Sequence, residues 1–197
     1  GQDLISSLYP NFMNMENIPF SLNDKIHFVG LPKGQSAISA PCCQPVPDER
    51  IVGITVKGKG IYIHRIDCDV LEAFDKKTSN WLDLQWPRGD TKVAYTSSIS
   101  VTMVNGAGVL GRICTLVGDM GANITDMNFL ERKPDFYRIK IEINVIDVEH
   151  LLNIMTSLEA DTDIAEIKRF RDPKSHLIDI GQKSAVIALN KNFEASG

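Results

Sequence analysis

A chain of 197 residues is comfortable for two small domains, and 43% hydrophobic with 23% charged residues is the composition of globular domains with real cores. The net charge of −4 excludes a broad basic field and the general nucleic-acid binding it would drive, though not a local contact by one exposed edge. No apolar run approaches the roughly 20 residues that span a bilayer, and the opening GQDLISSLYP lacks a basic region followed by an apolar one, so it reads as a point inside a longer chain.

Residues 1–24 mix Pro10, Asn11, Asn14, Asn17 and Pro19 with scattered apolar residues and sustain no period. They are expected to be a lead-in from a preceding region. Residues 25–92 carry the signals of short strands and tight turns. Ile26-His27-Phe28-Val29 runs into Gly30, Pro32 and Gly34. Ile51 to Val56 meets Ile61 to His64 across Lys57-Gly58-Lys59-Gly60, β-branched runs on either side of a glycine turn, which is the pattern of a hairpin. Asp67 is placed to cap a short helix starting at Cys68, and Leu82 to Trp86 alternates as a closing strand.

From residue 93 to 172 the grammar is cleaner. Ser98 to Val104 alternates as a half-buried strand. Val109, Leu110, Ile113, Leu116, Val117 and Met120 then recur at helical spacing, with Gly121 at the stop. Ile124 to Leu130 and Phe136 to Val145 read as two strands, Asp147 as the N-cap of a helix bearing Leu151, Leu152, Met155 and Leu158, and Ile164 to Phe170 as a last strand. The predicted order is βαββαβ. Residues 173–197 form a tail with no clear place in it. The fold class is therefore α+β: a small strand-rich module and then a two-layer βαββαβ domain.

Gly106 to Gly111, GAGVLG, fits the G-x-G-x-x-G pattern of dinucleotide folds, with Glu131 about twenty positions on, where a ribose-binding carboxylate would lie. The next connection decides against it. Parallel strands need a crossover of about a dozen residues, whereas Glu131-Arg132-Lys133-Pro134-Asp135 is hairpin length and makes its strands antiparallel. No nucleotide cofactor is expected. What remains is a glycine turn opening a helix, either for close packing alone or as N–H groups facing a small anion.

The segment from about 97 to 171 resembles an ACT domain, a ferredoxin-like module that commonly dimerises and binds amino acids. The resemblance rests on Asn105-Gly106-Ala107-Gly108-Val109-Leu110 and on Asn123-Ile124 at the head of the next strand. Many members carry Asp and Arg-Pro in the first loop, and here Asn105 with Gly106-Ala107 stands instead. The resemblance implies an amino acid held between the loop N–H groups of one subunit and the Asn-Ile strand, often of its neighbour. Asn105 and Asn123 would be polar clamps, and the apolar lining favours valine or isoleucine.

The chain holds four cysteines, Cys42, Cys43, Cys68 and Cys114. A reducing, cytoplasmic compartment is expected, which favours thiols or metal ligands over disulfides, and the adjacent Cys42 and Cys43 can hardly pair with each other. Cys42, Cys43, His64 and Cys68 offer the groups a structural zinc prefers, although adjacent cysteines project in different directions. Two other readings stand beside zinc. The cysteines can be small buried hydrophobes, or Cys42 or Cys43 a nucleophile with His64 as base, for which no orienting third group is apparent.

Cys42-Cys43-x-Pro45-x-Pro47, then Ile51-Val52-Gly53, a Gly58-x-Gly60 turn and His64-Arg65-x-x-Cys68 is similar to the cysteine-rich module of the RelA/SpoT family, stringent-response enzymes that make or degrade guanosine tetra- and pentaphosphate. In that family the module directly precedes a C-terminal ACT domain. The resemblance covers about 25 to 171 and implies a zinc-finger-like site at Cys42, Cys43, His64 and Cys68. It implies a regulatory region without catalytic chemistry of its own, in a full-length GTP pyrophosphokinase or (p)ppGpp 3'-pyrophosphohydrolase. Two roles are open: allosteric amino-acid sensing by a homodimeric ACT domain, and ribosome or tRNA docking, with Lys57, Lys59, Arg65 and Lys76-Lys77 as candidate phosphate contacts.

Overall fold

The computed structural model describes residues 28–74, 81–89 and 93–172. The lead-in 1–24, the residues Ile26 and His27, the pair Lys76-Lys77 and the tail 173–197 lie outside the described residues. Two antiparallel-rich sheets of four strands each account for most of the rest.

The first sheet contains β1 (Ala37–Ser39), β2 (Ile51–Val56), β3 (Gly60–Arg65) and β4 (Trp81–Leu84), in the order β1-β3-β2-β4. The predicted hairpin is β2 with β3, paired from Ile51↔Arg65 to Val56↔Gly60. Both faces of this sheet are covered, which explains why Ile51 to Ile54 reads as a continuous apolar run. One face packs Phe28, Ile61, Ile63 and Leu84; the other packs Val52, Ile54 and Tyr62 on the cysteines. Gly53 permits the closeness of β4. A Cβ there would lie 2.6 Å from Leu84 Cδ1 and 3.1 Å from Ile61 Cγ2.

Three expectations change. Ala37–Ser39 forms a strand that the sequence did not announce, parallel to β3 through Ala37↔Ile61. Val29 makes only an isolated bridge with Gln85. The predicted short helix is a 3₁₀ turn over Asp69–Ala73 capped by Cys68, without a side-chain cap. Asp67 instead gives its carboxylate to Arg65 (2.7 Å) and Arg171 (2.9 Å), because two guanidiniums outcompete backbone N–H groups for it.

The second sheet is the predicted βαββαβ. β5 (Tyr95–Val104), α1 (Val109–Asp119), β6 (Asn123–Arg132), β7 (Phe136–Val145), α2 (Val148–Glu159) and β8 (Ile164–Arg169) give the sheet order β6-β7-β5-β8. All its neighbours are antiparallel, so the dinucleotide fold is absent. Asp147 caps α2, accepting from His150 N at 2.7 Å. The core between sheet and helices is built from Ile99, Val101, Met103, Ile139, Ile141 and Ile143 against Val109, Ile113, Val117, Leu151, Ile154 and Leu158.

The two modules interlock. Val46, from the cysteine loop of the first module, is fully buried in the core of the second. Beside it the Pro47 carbonyl accepts from Val148 N, the first residue of α2, at 3.1 Å. Trp86 stands edge-on to Tyr95 at 5.4 Å and donates from Nε1 to the Glu49 carbonyl at 3.0 Å. Val46→Ala should therefore destabilise the second module although it lies outside it, by on the order of 1–3 kcal/mol from lost burial and a residual cavity. Urea unfolding of wild type and variant measures this. An unchanged midpoint would mean that the plug contributes nothing.

Candidate metal centre and ligand loop

The four predicted metal ligands converge. Cys42, Cys43, His64 and Cys68 are all buried, and one ligand atom from each lies within 4.8 Å of every other. Cys42 Sγ is 3.5 Å from Cys68 Sγ and 3.5 Å from His64 Nδ1, and Cys43 Sγ is 4.0 Å from the same nitrogen. A tetrahedral zinc with ordinary Zn–S bonds separates its sulfurs by about 3.8 Å, so these residues fit such an ion. Four soft or borderline donors with no carboxylate among them favour zinc-like over hard cations.

Local backbone chemistry makes this possible. After β1 the chain tightens at once: Cys43 N and Gln44 N both donate to the Ala40 carbonyl, at 3.3 and 2.9 Å. Gln44 follows with φ of 43°. This turn brings both adjacent thiols inward, where an extended chain would send them to opposite faces. His64 stands near the end of β3, and a tight turn with Cys68 N donating to the Arg65 carbonyl (3.1 Å) brings Cys68 back beneath it.

The thiols do not share ionisation equally. Hydrogen bonds from Cys42 and Cys43 pull Cys68 far below an ordinary thiol against the opposing effect of burial. Cys42 is pushed up by its contacts with Cys43 and Cys68 and by burial. Cys43 is pushed up to about 12, where the bond with Cys42 pulls it down while Cys68 and burial push it up. A thiolate, the form that binds metal, is thus favoured at Cys68 by hydrogen bonds from its neighbouring thiols.

A set of contacts invisible in the sequence surrounds this cluster. Arg169, at the end of β8, reaches Glu49 Oε1 (3.1 Å) and the carbonyls of Cys43 (3.3 Å) and Gln44 (2.9 Å). Asp172 N donates to the Cys42 carbonyl at 3.1 Å. Arg171 donates to the Asp67 carbonyl (3.4 Å) and to the carboxylates of Asp67 and Asp69. Arg65 completes the group, with Nε 3.4 Å from Glu49 Oε1. Burial pulls the Arg169 guanidinium below its ordinary value while Glu49 opposes that pull. Only the residue types were legible in advance, since the partners are about a hundred positions apart.

The predicted ligand loop is a turn feeding a helix. Gly108 is the N-cap of α1 with φ of 82°, a conformation that favours glycine, and no side chain caps the helix. Val109 is buried and Leu110 half-buried, while Asn105, Gly106 and Ala107 are exposed. Asn105 Nδ2 donates to the Pro134 carbonyl at 3.0 Å and its backbone N–H to the Asp135 carbonyl at 2.9 Å, pinning the loop to the β6–β7 hairpin. Asn123 and Ile124 lie elsewhere. Asn123 pairs with Asn144 near the far end of β7, whereas the loop sits beside Phe136 at its start. Eight strand positions separate these ends by about 27 Å. Within one chain, therefore, Asn105 and Asn123 are not brought together. Glu131 lies within β6 at the hairpin, its carboxyl held low by Lys133 and Arg138.

Of the candidate phosphate contacts, Lys57 and Lys59 are exposed at the β2–β3 turn. Arg65 is at the opposite end of β3, its side chain 14% exposed and held by Glu49 and Asp67. No helix among the described residues is long and apolar enough to cross a membrane.

Comparison with known proteins follows this division. Residues 26–87 match the RelA/SpoT RIS domain and residues 91–169 the ACT domain. The GTP pyrophosphokinase rsh of Brucella suis is 33% identical over 63% of this chain and 17% of its own length. The bifunctional (p)ppGpp synthase/hydrolase SpoT of Escherichia coli is 27% identical over 68% of this chain and 19% of its own. The chain thus spans under a fifth of these relatives. Among solved structures, the ACT domain from GTP pyrophosphokinase of Chlorobium tepidum aligns with 40% of this chain and 100% of its own at 15% identity and a TM-score of 0.36. A RIS domain with a buried thiol–imidazole cluster, followed by an ACT domain, makes this chain a regulatory region of the RelA/SpoT family.

Proposed function

We propose that this region senses a small aliphatic amino acid and tunes alarmone synthesis against hydrolysis in a full-length (p)ppGpp synthetase/hydrolase. The observation that carries the reading is the separation of Asn105 from Asn123, joined to the open edge of β6. Among the described residues β6 is hydrogen-bonded on one side only, and it exposes Phe129 and Leu130. Its last residues lie at the hairpin that carries the Asn105 loop, and its first residue is Asn123. Antiparallel pairing of β6 with β6 of a second copy places the partner's Asn123 and Ile124 beside the loop of the first. A homodimer therefore supplies both halves of the pocket, and the uncapped α1 N-terminus supplies N–H groups for the ligand carboxylate.

The apolar Val109 and Leu110 suit valine or isoleucine. Isothermal titration of the dimeric protein with each is expected to give a saturable heat at one ligand per protomer, and Asn123→Ala to weaken it. Absence of heat with both ligands on folded dimer would sink the reading.

The thiol–imidazole cluster is read as a structural zinc site, which would fix the turn after β1 against β3 without taking part in catalysis. Titration with cobalt(II) should show one ion per chain with thiolate charge-transfer bands, displaced by zinc and lost in Cys42→Ser and Cys68→Ser. A normal spectrum in either variant would remove that residue from the ligand set.

A second reading, docking to ribosomal or transfer RNA, is favoured by one observation: the exposed Lys57 and Lys59 at the tip of the β2–β3 turn. RNA binding should weaken steeply with salt and fall on Lys57→Glu with Lys59→Glu. Arg65 is left out of that test because its charge holds Glu49 inside the protein. Binding that the double variant leaves unchanged would exclude this turn as the contact.

A further inference from the structure

The end of β8 belongs to the ACT domain, yet its contacts are with the backbone that carries the thiols. Arg169 holds the Cys43 and Gln44 carbonyls, Asp172 N holds the Cys42 carbonyl, and Arg171 holds the Asp67 carbonyl directly before Cys68. Three of the four cluster residues therefore have their own carbonyl, or that of the residue before them, gripped by one short segment. These carbonyls belong to turns outside regular strands, where no strand ladder pairs them.

We propose that Arg169, Arg171 and the backbone of Asp172 are positioning residues for the thiol–imidazole cluster, so that ACT docking and metal affinity are thermodynamically linked. The inference rests on reading the cluster as a metal site. Its physical basis is geometric. Three sulfurs and one nitrogen must be held within a few tenths of an ångström for tetrahedral binding, and the turns carrying them take their orientation from these carbonyl bonds. Linkage then runs both ways. If an undocked β8 end loosens the cluster and weakens metal binding, metal binding favours the docked β8 end by the same factor.

The side chains differ in what they risk. Arg169 is 12% exposed and shares Glu49 with Arg65, so removing its charge takes one of two partners from an enclosed carboxylate and can cost the fold. Arg171 is 36% exposed and bonds to exposed carboxylates, so Arg171→Gln leaves the core untouched. Arg169→Lys keeps the charge but has one nitrogen where the guanidinium uses two, Nη1 on Glu49 and Nη2 on the carbonyls.

The test uses the whole chain and zinc itself, measured by competition with a colorimetric chelator. Arg171→Gln and Arg169→Lys should each weaken zinc binding about tenfold, the range seen when groups orienting metal ligands are lost, with stoichiometry and the cobalt spectrum unchanged. Ile139→Val, in the distant ACT core, controls for general destabilisation and should leave zinc affinity as in wild type. Zinc should also slow amide exchange across Ile164 to Asp172 in wild type and do so less in Arg171→Gln. Wild-type affinity in both arginine variants would overturn the proposal while leaving the metal site standing. If the wild type takes up neither cobalt nor zinc, the metal reading fails, and positioning is read from thiol alkylation, with Cys114 as internal reference. Labelling of Cys42, Cys43 and Cys68 about tenfold faster in Arg171→Gln supports the grip, because a loosened turn exposes its thiol more often. Equal labelling overturns it.

Discussion

A single buried carboxylate organises the junction on which both modules depend. Glu49 Oε1 meets Arg65 from the first module and Arg169 from the second, and its other oxygen accepts from Val46 N at 2.8 Å. That last bond holds the loop whose Val46 side chain plugs the ACT core. A carboxylate this enclosed is tolerable only with its charge matched and its lone pairs used, and here both conditions are met by groups that must come from both modules. Arg65 also pairs with Asp67 at 2.7 Å, so the two guanidiniums are matched by two carboxylates. The same residue ties the junction to the cluster, because its backbone N–H donates to Cys43 Sγ at 3.4 Å. The junction and the cluster therefore share Arg65, Arg169 and the Cys43 backbone between them.

The ACT half was legible because its information is local. Strand alternation, helical spacing and the Asp147 cap each act within a few residues, and the Pro134 hairpin was short enough to exclude parallel strands. The first half was less legible for equally physical reasons. Ala37–Ser39 is too short to show a period, and it pairs in parallel with a strand that is not its neighbour in sequence. Asp67 looks like a cap by position, but one of the two guanidiniums that claim it comes from 104 residues away. Val46 looks like a loop residue between two prolines and turns out to belong to a core that starts about fifty positions later.

The sites divide in the same way. Residue types identified the four metal-binding candidates, yet their convergence hangs on a turn at Ala40 to Gln44 that spacing alone argued against. The glycine loop was identified as a turn into a helix, which it is, through a left-handed Gly108. What the motif concealed is that Asn105 is engaged by Pro134 and that Asn123 opens a strand at the other end of the sheet. A motif is written along the chain, whereas an antiparallel sheet sends consecutive motifs to opposite ends. Any pocket that uses both ends must borrow one from another molecule.

β8 gives these separate observations a common axis. At its start, the Asp163 carbonyl accepts from Val104 N at 2.8 Å, directly before the Asn105 loop. At its end, Arg169 to Asp172 grips the turns that bear the thiols. Between them the strand pairs with β5 from Met103↔Ile164 to Ile99↔Arg169, with one irregularity at Thr102 and Met103. A hydrogen-bonded strand of six residues is about 20 Å long and stretches little, so its ends cannot relocate independently while that pairing holds. The irregularity sits at the loop end, and the regular pairs run toward the cluster. The loop and the cluster are thus two ends of one element, and a displacement at either end has to be carried through the same β5–β8 pairing.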